Sequence, residues 1–303
     1  MKIKFDYRYI LLLGFPVALL SETLGWGDMV QFLAAAIAIV PLAGFIGEAT
    51  EELAVHTGPK IGGLLNATLG NAAELIITIV AIRAGVLELV IASITGSILG
   101  NLLLVLGFSL FVGGLKNGWQ KFDSTQATTN STMMILAVVA LMVPAVFGSV
   151  IDVTHHEDLQ PLSLVTAVVM ITIYALGVYF SFTQSDEKSP LTRPAADVHE
   201  GETWSIKKAV IVLAAATIAI VFMSELLVGA VEHVVTEIGW SEFFVGIIIV
   251  PLVGNAAEHM VAVQMAIKNQ MDLSVEIAIG SSLQVALFVA PLLIIIAAFM
   301  GKE

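Results

Sequence analysis

The sequence predicts an all-α fold, a polytopic transmembrane helix bundle with inverted-topology repeats, and three observations carry that prediction. Of the 303 residues, 58% are hydrophobic and only 13% charged, where a soluble globular domain carries about 25% charged residues. The stretch Gly70-Asn71-Ala72-Ala73-Glu74 recurs letter for letter as Gly254-Asn255-Ala256-Ala257-Glu258, each copy near the middle of a long apolar segment. Basic residues fall almost wholly on one side of the spans that the apolar segments define, as the positive-inside rule requires. A carboxylate at the centre of a membrane helix costs roughly 2.5–3.5 kcal/mol on insertion scales. That cost is incurred twice in the same frame, so the two glutamates are expected to meet at one site.

Taken in order, Met1 to Arg8 are basic and Tyr9 to Leu20 form a short apolar run. No small-x-small cleavage site follows and the next apolar stretch begins within ten residues, which favours a retained first span over a signal peptide. Further spans are read at about 28–55, 60–83, 86–114, 131–148, 160–182, 207–235, 241–267 and 271–299, each near or above the ~20 residues needed to cross. Nine spans result. Pro41, Pro144, Pro251 and Pro291 lie inside them, where kinks or breaks are tolerated if other groups satisfy the backbone.

With the amino terminus in the cytoplasm, the internal segments hold Lys2, Lys4, Arg8, Lys60, Lys116, Lys121, Lys188, Arg193, Lys207, Lys208 and Lys268, and the external ones only Arg83 and Lys302. The external loop carries His155, His156, Glu157 and Asp158, but two adjacent histidines lack the spacing of a typical metal site and a solvated loop is expected. The polar stretch Thr183 to Ser205 contains Pro190 and Pro194 and reads as a cytoplasmic linker. The organisation is therefore an extra N-terminal helix (1–27), a first repeat (28–182), the linker (183–206) and a second, inverted repeat (207–303).

A shift of 184 residues superimposes more than the two motifs. Glu48 falls on Glu232, Gly62 on Gly246, Leu87-Glu88-Leu89 on Met271-Asp272-Leu273 and Gly96-Ser97 on Gly280-Ser281. An odd number of spans separates the copies, so the second enters the membrane from the opposite side. Inverted repeats of this kind are an architecture of secondary transporters, with substrate bound at the midplane where the repeats meet.

On a helix, Asn71, Glu74 and Thr78 form one polar stripe, and Asn255, Glu258 and His259 a similar patch. Gly70 and Gly254 permit close approach or local unwinding, and carbonyls freed there add oxygen ligands. The following spans contribute Ser93, Ser97 and Asn101, and Ser281, Ser282 and Gln284. Carboxylates, amides, hydroxyls and carbonyls supply the oxygen-rich, flexible coordination that calcium prefers. Zinc or copper would ask for thiolates or several imidazoles, and cysteine is absent. His259 is either a ligand or proton relay, or a group orienting the adjacent carboxylate; Asn101 and Gln284 are ion ligands or interhelical hydrogen-bonding groups. The symmetric pair Glu48 and Glu232 is expected to act at a vestibule or gate, and the other carboxylates near span ends (Glu51, Glu52, Glu225, Glu237) are expected to be solvated.

The same carboxylates can carry protons, since burial and a second carboxylate favour the neutral form whereas a divalent cation displaces the proton. One constellation then holds either a divalent cation or protons, which is the thermodynamic core of an antiporter. No cofactor is called for: Ca2+ and H+ are substrates. The formal net charge of −12 argues against nucleic acid as a partner. Absence of His-Glu-x-x-His and Gly-x-Ser-x-Gly argues against a membrane-embedded hydrolase, so no enzyme is expected. A Na+/Ca2+ or other divalent cation/H+ exchanger and a cation channel remain as alternatives.

The motifs GNAAEL at 70–75 and GNAAEH at 254–259, flanked by GPKIGGLLNATLGNAAE at 58–74 and GSSLQVALFVAP at 280–291, closely resemble the two repeat regions of cation/proton exchangers, the Ca2+/H+ antiporters of the calcium/cation antiporter superfamily. The resemblance implies one extra helix followed by two inverted five-helix halves, exchange of cytosolic calcium for protons, and cation ligation by Glu74 and Glu258. It also implies eleven spans, so counterparts of 131–148 and 160–182 are missing from the second half. The expectation is a multi-pass protein of a prokaryotic plasma (inner) membrane, in a lipid bilayer, with a cytoplasmic amino terminus; a homo-oligomer is compatible with the sequence.

Overall fold

The computed structural model describes residues 8–151, 159–183 and 203–302. The regular elements among them are all helical. A single turn, Arg8–Leu11, precedes α1 (Gly14–Leu24), α2 (Asp28–Leu69), α3 (Ala72–Ala84), α4 (Leu87–Asn117), α5 (Ser124–Ile151), α6 (Leu159–Thr183), α7 (Ile206–Ile238), α8 (Glu242–Gly254), α9 (Ala256–Ile267) and α10 (Met271–Phe299). The expected metal-free loop at 155–158 and most of the linker lie outside the described residues.

Six helices among the described residues are long and apolar enough to cross a membrane, and α8 with α9 forms a seventh span bent by 64°. The other two expected spans take a different form. The first is the 11-residue α1, about 16 Å long at 1.5 Å per residue. The one expected at 60–83 is not a single helix. Gly58 bends α2 at φ 82° and ψ 169°, a conformation open to glycine because it has no Cβ. The chain leaves the helix again at Asn71, with φ −97° and ψ 20°.

In lipid, helices associate through close van der Waals packing, which small residues permit. The long helices α2 and α7, related by the 184-residue shift, make the centre of the bundle. Phe32, Ile39 and Ile46 are buried with Ile220, Met223, Leu227 and Val231 between them, and Ala34, Ala35, Ala36 and Ala38 keep α2 slim. Helix α1 crosses α2 at Gly14, where an added Cβ would come within 2.6 Å of the Ala34 carbonyl oxygen. Helices α5 and α6 are peripheral and turn Leu136, Val165, Val169 and Leu176 outward, as lipid-facing helices do, while Tyr174 stacks on Phe288 of α10 at 5.4 Å.

Polar contacts define the two ends of the bundle. At the basic end Arg8 Nη1 meets Glu48 Oε2 at 2.6 Å, and Gln120 Nε2 donates to Asn269 Oδ1 at 3.1 Å. At the opposite end Arg83 pairs with Glu225 at 3.3 Å and His233 with Asp28 at 3.7 Å. One expectation fails here. Glu52 is not a solvated helix-end carboxylate: it is 1% exposed, its Oε2 accepts from the Trp204 backbone N–H at 2.8 Å, and His56 Nε2 lies 2.6 Å from the Trp204 carbonyl. The chain entering α7 folds over the end of the Asp28–Gly58 segment, and its covered backbone groups need partners.

Candidate functional site

Both motifs break their helix in the same way. In the first, Gly70 N–H donates to Asn66 and the next bond of the ladder is Leu75 N–H to Asn71. In the second, Asn255 N–H donates to Pro251 and the ladder resumes with His259 N–H to Asn255. The carbonyls of Thr68, Leu69 and Gly70, and those of Leu252, Val253 and Gly254, are left outside it. Broken spans are tolerated at membrane depth where they line a protein-enclosed site. Glu74 and Glu258 then stand in the first turn of α3 and α9, where the helix dipole favours negative charge. The expected continuous stripe of Asn71, Glu74 and Thr78 is thus divided: Asn71 precedes the helix, and Thr78 Oγ1 turns back to the Glu74 carbonyl at 2.8 Å.

The two motifs face each other. A Cβ built on Gly70 would lie 3.6 Å from Glu258 Oε1, and one built on Gly254 3.7 Å from Glu74 Cβ. Each motif glycine therefore stands opposite the other motif's glutamate. The polar side chains around them form one network across the halves. Asn71 Nδ2 donates to Gln284 Oε1 at 2.8 Å, Ser281 Oγ to Glu258 Oε2 at 2.6 Å, and Asn101 Nδ2 to Ser281 Oγ at 3.2 Å. His259 Nε2 donates to Asn101 Oδ1 at 3.0 Å, since an amide oxygen only accepts. Two contacts repeat across the shift: Ser281 Oγ lies 3.4 Å from Asn71 Oδ1, and Asn255 Nδ2 donates to Ser97 Oγ at 3.2 Å.

Nine sequence-predicted site residues are thus gathered in one place: Asn71, Glu74, Ser97, Asn101, Asn255, Glu258, His259, Ser281 and Gln284. Glu48 and Glu232 are not hydrogen-bonded to this network among the described residues. Glu48 pairs with Arg8, whose guanidinium also lies over the Phe45 ring, and Glu232 is exposed. Sequence reasoning missed a further device. Gly100–Val105 and Val285–Val289 are π-helical turns related by the same shift, and they widen α4 and α10 beside Asn101 and Gln284. Turns of this type occur often at functional sites.

Glu74 is 1% exposed, and among the described residues neither of its carboxylate oxygens has a hydrogen-bond partner. An ionised carboxylate buried without donors is costly, so this group calls for a proton or a cation. Among the described residues no group of three or more His, Asp or Glu side chains is arranged to hold a metal ion. A cation held here would take its remaining ligands from neutral oxygens, as hard cations such as calcium do.

The mirror relation fails on one flank. At the opposite end α8 packs tightly on α4: a Cβ on Gly246 would lie 2.6 Å from Ala92 Cβ, and one on Gly96 would overlap the Ile247 carbonyl. Ala92, Ser93 and Gly96 are buried, whereas their counterparts Glu276, Ile277 and Gly280 on α10 are half-buried. Among the described residues, nothing lies within 4 Å of a Cβ built on Gly280. Ala72, Ala73 and Glu74 are likewise buried while Ala256, Ala257 and Glu258 are half-buried. Among the described residues, packing beside the site is tighter toward the opposite end than toward the basic end.

Residues 28–183 and 208–303 match the model of the sodium/calcium exchanger protein family. The Ca2+/H+ antiporter ChaA of Bacillus subtilis (strain 168) is 46% identical over 288 residues, covering 94% of this chain and 81% of the relative. A Ca2+/H+ antiporter of Aphanothece halophytica is 42% identical over 304 residues, covering 96% and 82%. The solved structure of native YfkE superimposes with a TM-score of 0.83 at 42% identity, over 98% of this chain and 84% of that one. That of the H+/Ca2+ exchanger CAX, at 18% identity and a TM-score of 0.76 over 96% and 73%, shares the fold. This protein, with its two inverted copies of the glycine-to-glutamate motif meeting at one buried network, belongs to the sodium/calcium exchanger protein family.

Proposed function

We propose that this membrane transporter is a secondary antiporter that exchanges Ca2+ for H+ by alternating access, with Glu74 and Glu258 holding the cation or protons in exclusive turns. The observation that carries the reading is the buried Glu74 carboxylate without hydrogen bonds, facing a second carboxylate that accepts from Ser281. An empty, doubly ionised site would be too costly to occlude, so the conformational switch is restricted to the loaded forms, whether with Ca2+ or with protons. That restriction is the coupling. The antiporter names of relatives above 40% identity support the ion pair.

The tighter packing toward the opposite end supports a state open to the cytoplasm, the positive-inside bias orienting the chain. Calcium then enters from the cytoplasmic side of a plasma membrane, Ser281, Asn71, Gln284 and the freed carbonyls complete its shell, and protons from outside displace it after the switch. His259, fixed by Asn101, orients Asn101 toward Ser281 and through it Glu258. The test is calcium flux into liposomes holding the purified protein, with a pH gradient imposed and then collapsed by a protonophore, without sodium. Calcium should accumulate only while the gradient stands. Equal flux without it would mean a channel, and a requirement for sodium a different counter-ion.

A further inference from the structure

A hollow of about 520 Å³ lies at the end of the bundle opposite the basic one, between α3, α4, α6 and α10. Its walls include Val90 and Ile94 of α4, Leu164 of α6, and Leu293 and Ala297 of α10, and every lining side chain is aliphatic except those of Gln160, Ser163 and Lys302. From Ala298 to Ala290 it follows α10 for about 12 Å, at 1.5 Å per residue. That approaches the ~15 Å of hydrocarbon in one leaflet, half of the bilayer core. Ile91, on its rim, is exposed, so the hollow opens sideways toward lipid.

The three polar residues gather at its outer end. Gln160 and Ser163 stand at the start of α6, and Lys302 follows the end of α10. Lys302 Nζ lies over the turn between α3 and α4, 3.6 Å from where a Cβ on Gly85 would be. A lysine near a helix end keeps its stem on apolar surface and its ammonium at headgroup level. Other basic side chains of this end are paired, Arg83 with Glu225 and His233 with Asp28. A smaller hollow of about 290 Å³ stands at the basic end. Its residues Met271, Leu110, Gly114 and Gly118 are the counterparts, by the 184-residue shift, of Leu87, Ile294, Ala298 and Lys302. Glycine thus stands where the ammonium is, and Gln120 of that lining is engaged with Ala266 and Asn269. The repeat supplies a hollow at both ends, and a cation at only one of them.

We propose that the hollow at the opposite end is a binding site for a glycerophospholipid of the bilayer, one acyl chain lying between α4, α6 and α10 and the phosphate held by Lys302 with Gln160 and Ser163. Charge complementarity selects the occupant. An aliphatic slot of nearly leaflet depth that ends in an ammonium and two neutral donors matches a chain joined to a phosphate. A soluble anion would leave the slot empty, and empty apolar walls forfeit their contacts. The walls belong to α3, α4 and α10, the helices that carry Glu74, Ser97 and Ser281. The lipid therefore packs on the elements that carry the site, whichever ions that site exchanges.

The experiment titrates the delipidated full chain in detergent with phosphatidylglycerol, with a diacylglycerol of the same chains, and with glycerol 3-phosphate, counting bound molecules by native mass spectrometry. One phosphatidylglycerol should bind ahead of the rest, the diacylglycerol about fivefold more weakly, and glycerol 3-phosphate not at all. Lys302→Ala should weaken the first phosphatidylglycerol about fivefold, to the level of the diacylglycerol, and leave the diacylglycerol unchanged; Lys302→Arg should retain the affinity. Ala297→Trp, which fills the slot, should remove the first site for both lipids, and Leu164→Trp does the same from the α6 wall should the first variant not fold. Phosphatidylglycerol at a hundredfold excess over its Kd should raise the melting temperature of the unsubstituted protein by about 5–10 °C, and that of the tryptophan variant by clearly less. Equal phosphatidylglycerol affinity in Lys302→Ala, or an undiminished first lipid in a folded tryptophan variant, overturns the proposal and leaves only lipids of the annulus. Binding of glycerol 3-phosphate as tight as that of the lipid overturns it in favour of a soluble phosphate.

Discussion

Gly96 and Gly280 are the same residue in the two repeats, and the structure predicts opposite responses to the same substitution. A Cβ on Gly96 would lie 2.7 Å from the Ile247 Cα and carbonyl carbon, where carbon atoms in contact sit at ~3.5–4.0 Å. Helices α4 and α8 would have to separate by roughly 1 Å, and the overpacking costs about 1–3 kcal/mol. Against this, alanine is favoured over glycine within a helix by about 1 kcal/mol, so the net loss for Gly96→Ala is on the order of 0–2 kcal/mol. For Gly280→Ala the steric term is missing in the state seen here, and the propensity gain stands alone. At ~2–4 °C per kcal/mol for a chain of this size, Gly96→Ala should lower the melting temperature of the detergent-purified protein by up to several degrees and Gly280→Ala should raise it slightly. Calcium flux should fall in both, because alternating access would require Gly280 to be packed in turn as Gly96 is now. Equal destabilisation by the two substitutions, or a Gly280→Ala protein with raised stability and undiminished turnover, would refute the reasoning.

Three further outcomes follow, two from the network and one from the contact at the basic end. Glu74→Gln and Glu258→Gln should each abolish proton-driven calcium uptake in everted vesicles, since each removes one of the two carboxylates proposed to hold the cation; full uptake in either variant would remove the paired-carboxylate site. Ser281→Ala deletes the hydroxyl that Glu258 and Asn101 share and, as with other groups that orient metal ligands, should weaken calcium binding by roughly 10–100-fold, measured by isothermal titration, with the fold intact by circular dichroism. Glu52→Ala leaves the Trp204 N–H without its acceptor and should destabilise by about 1–3 kcal/mol, lowering the melting temperature while the flux per folded molecule is retained; an unchanged melting temperature would mean that the contact adds nothing.

Much of the site was legible because its chemistry is written in residue types that apolar surroundings do not tolerate. Glu74 and Glu258 in identical frames, with Asn71, Asn255, Ser97 and Ser281 at matching positions, are polar groups that lipid would expel unless they met. The breaks at Asn71 and Asn255 were only half legible. Glycine permits unwinding, but whether it unwinds depends on tertiary partners for the freed groups, and a largely apolar span of 24 residues such as 60–83 reads the same whole or broken. Glu48 and Glu232 show the converse. Their symmetry in sequence says nothing of what each meets, and Arg8, forty residues away in the chain, captures one of them. Glu52 was misread for the same reason, because its partner belongs to the far side of the linker.

The departures from the repeat carry as much information as the repeat itself. Were the two halves identical, a state open to the basic end and its mirror image would have equal energy, and nothing in the protein would prefer one side for release. Positions that break the equality around the site include Leu75 and His259, Ala92 and Glu276, Gly100 and Gln284, Asn101 and Val285, Thr78 and Ala262, and Ser93 and Ile277. At three of them the polar member lies in the second half, and two of these, His259 and Gln284, bond to residues of the first half in this structure. Each such bond lost on switching is worth about 0.5–1.5 kcal/mol net, and 1.4 kcal/mol is tenfold in population. His259→Leu with Gln284→Gly, which restores the mirror at those positions, is therefore expected to move the proposed conformational equilibrium roughly tenfold or more toward the state open to the opposite end. Cysteine labelling at residues 277 and 93, the counterparts that are half-buried and buried here, reads that shift directly: reactivity should fall at 277 and rise at 93, and unchanged labelling at both would show that the energy difference between the states is set elsewhere.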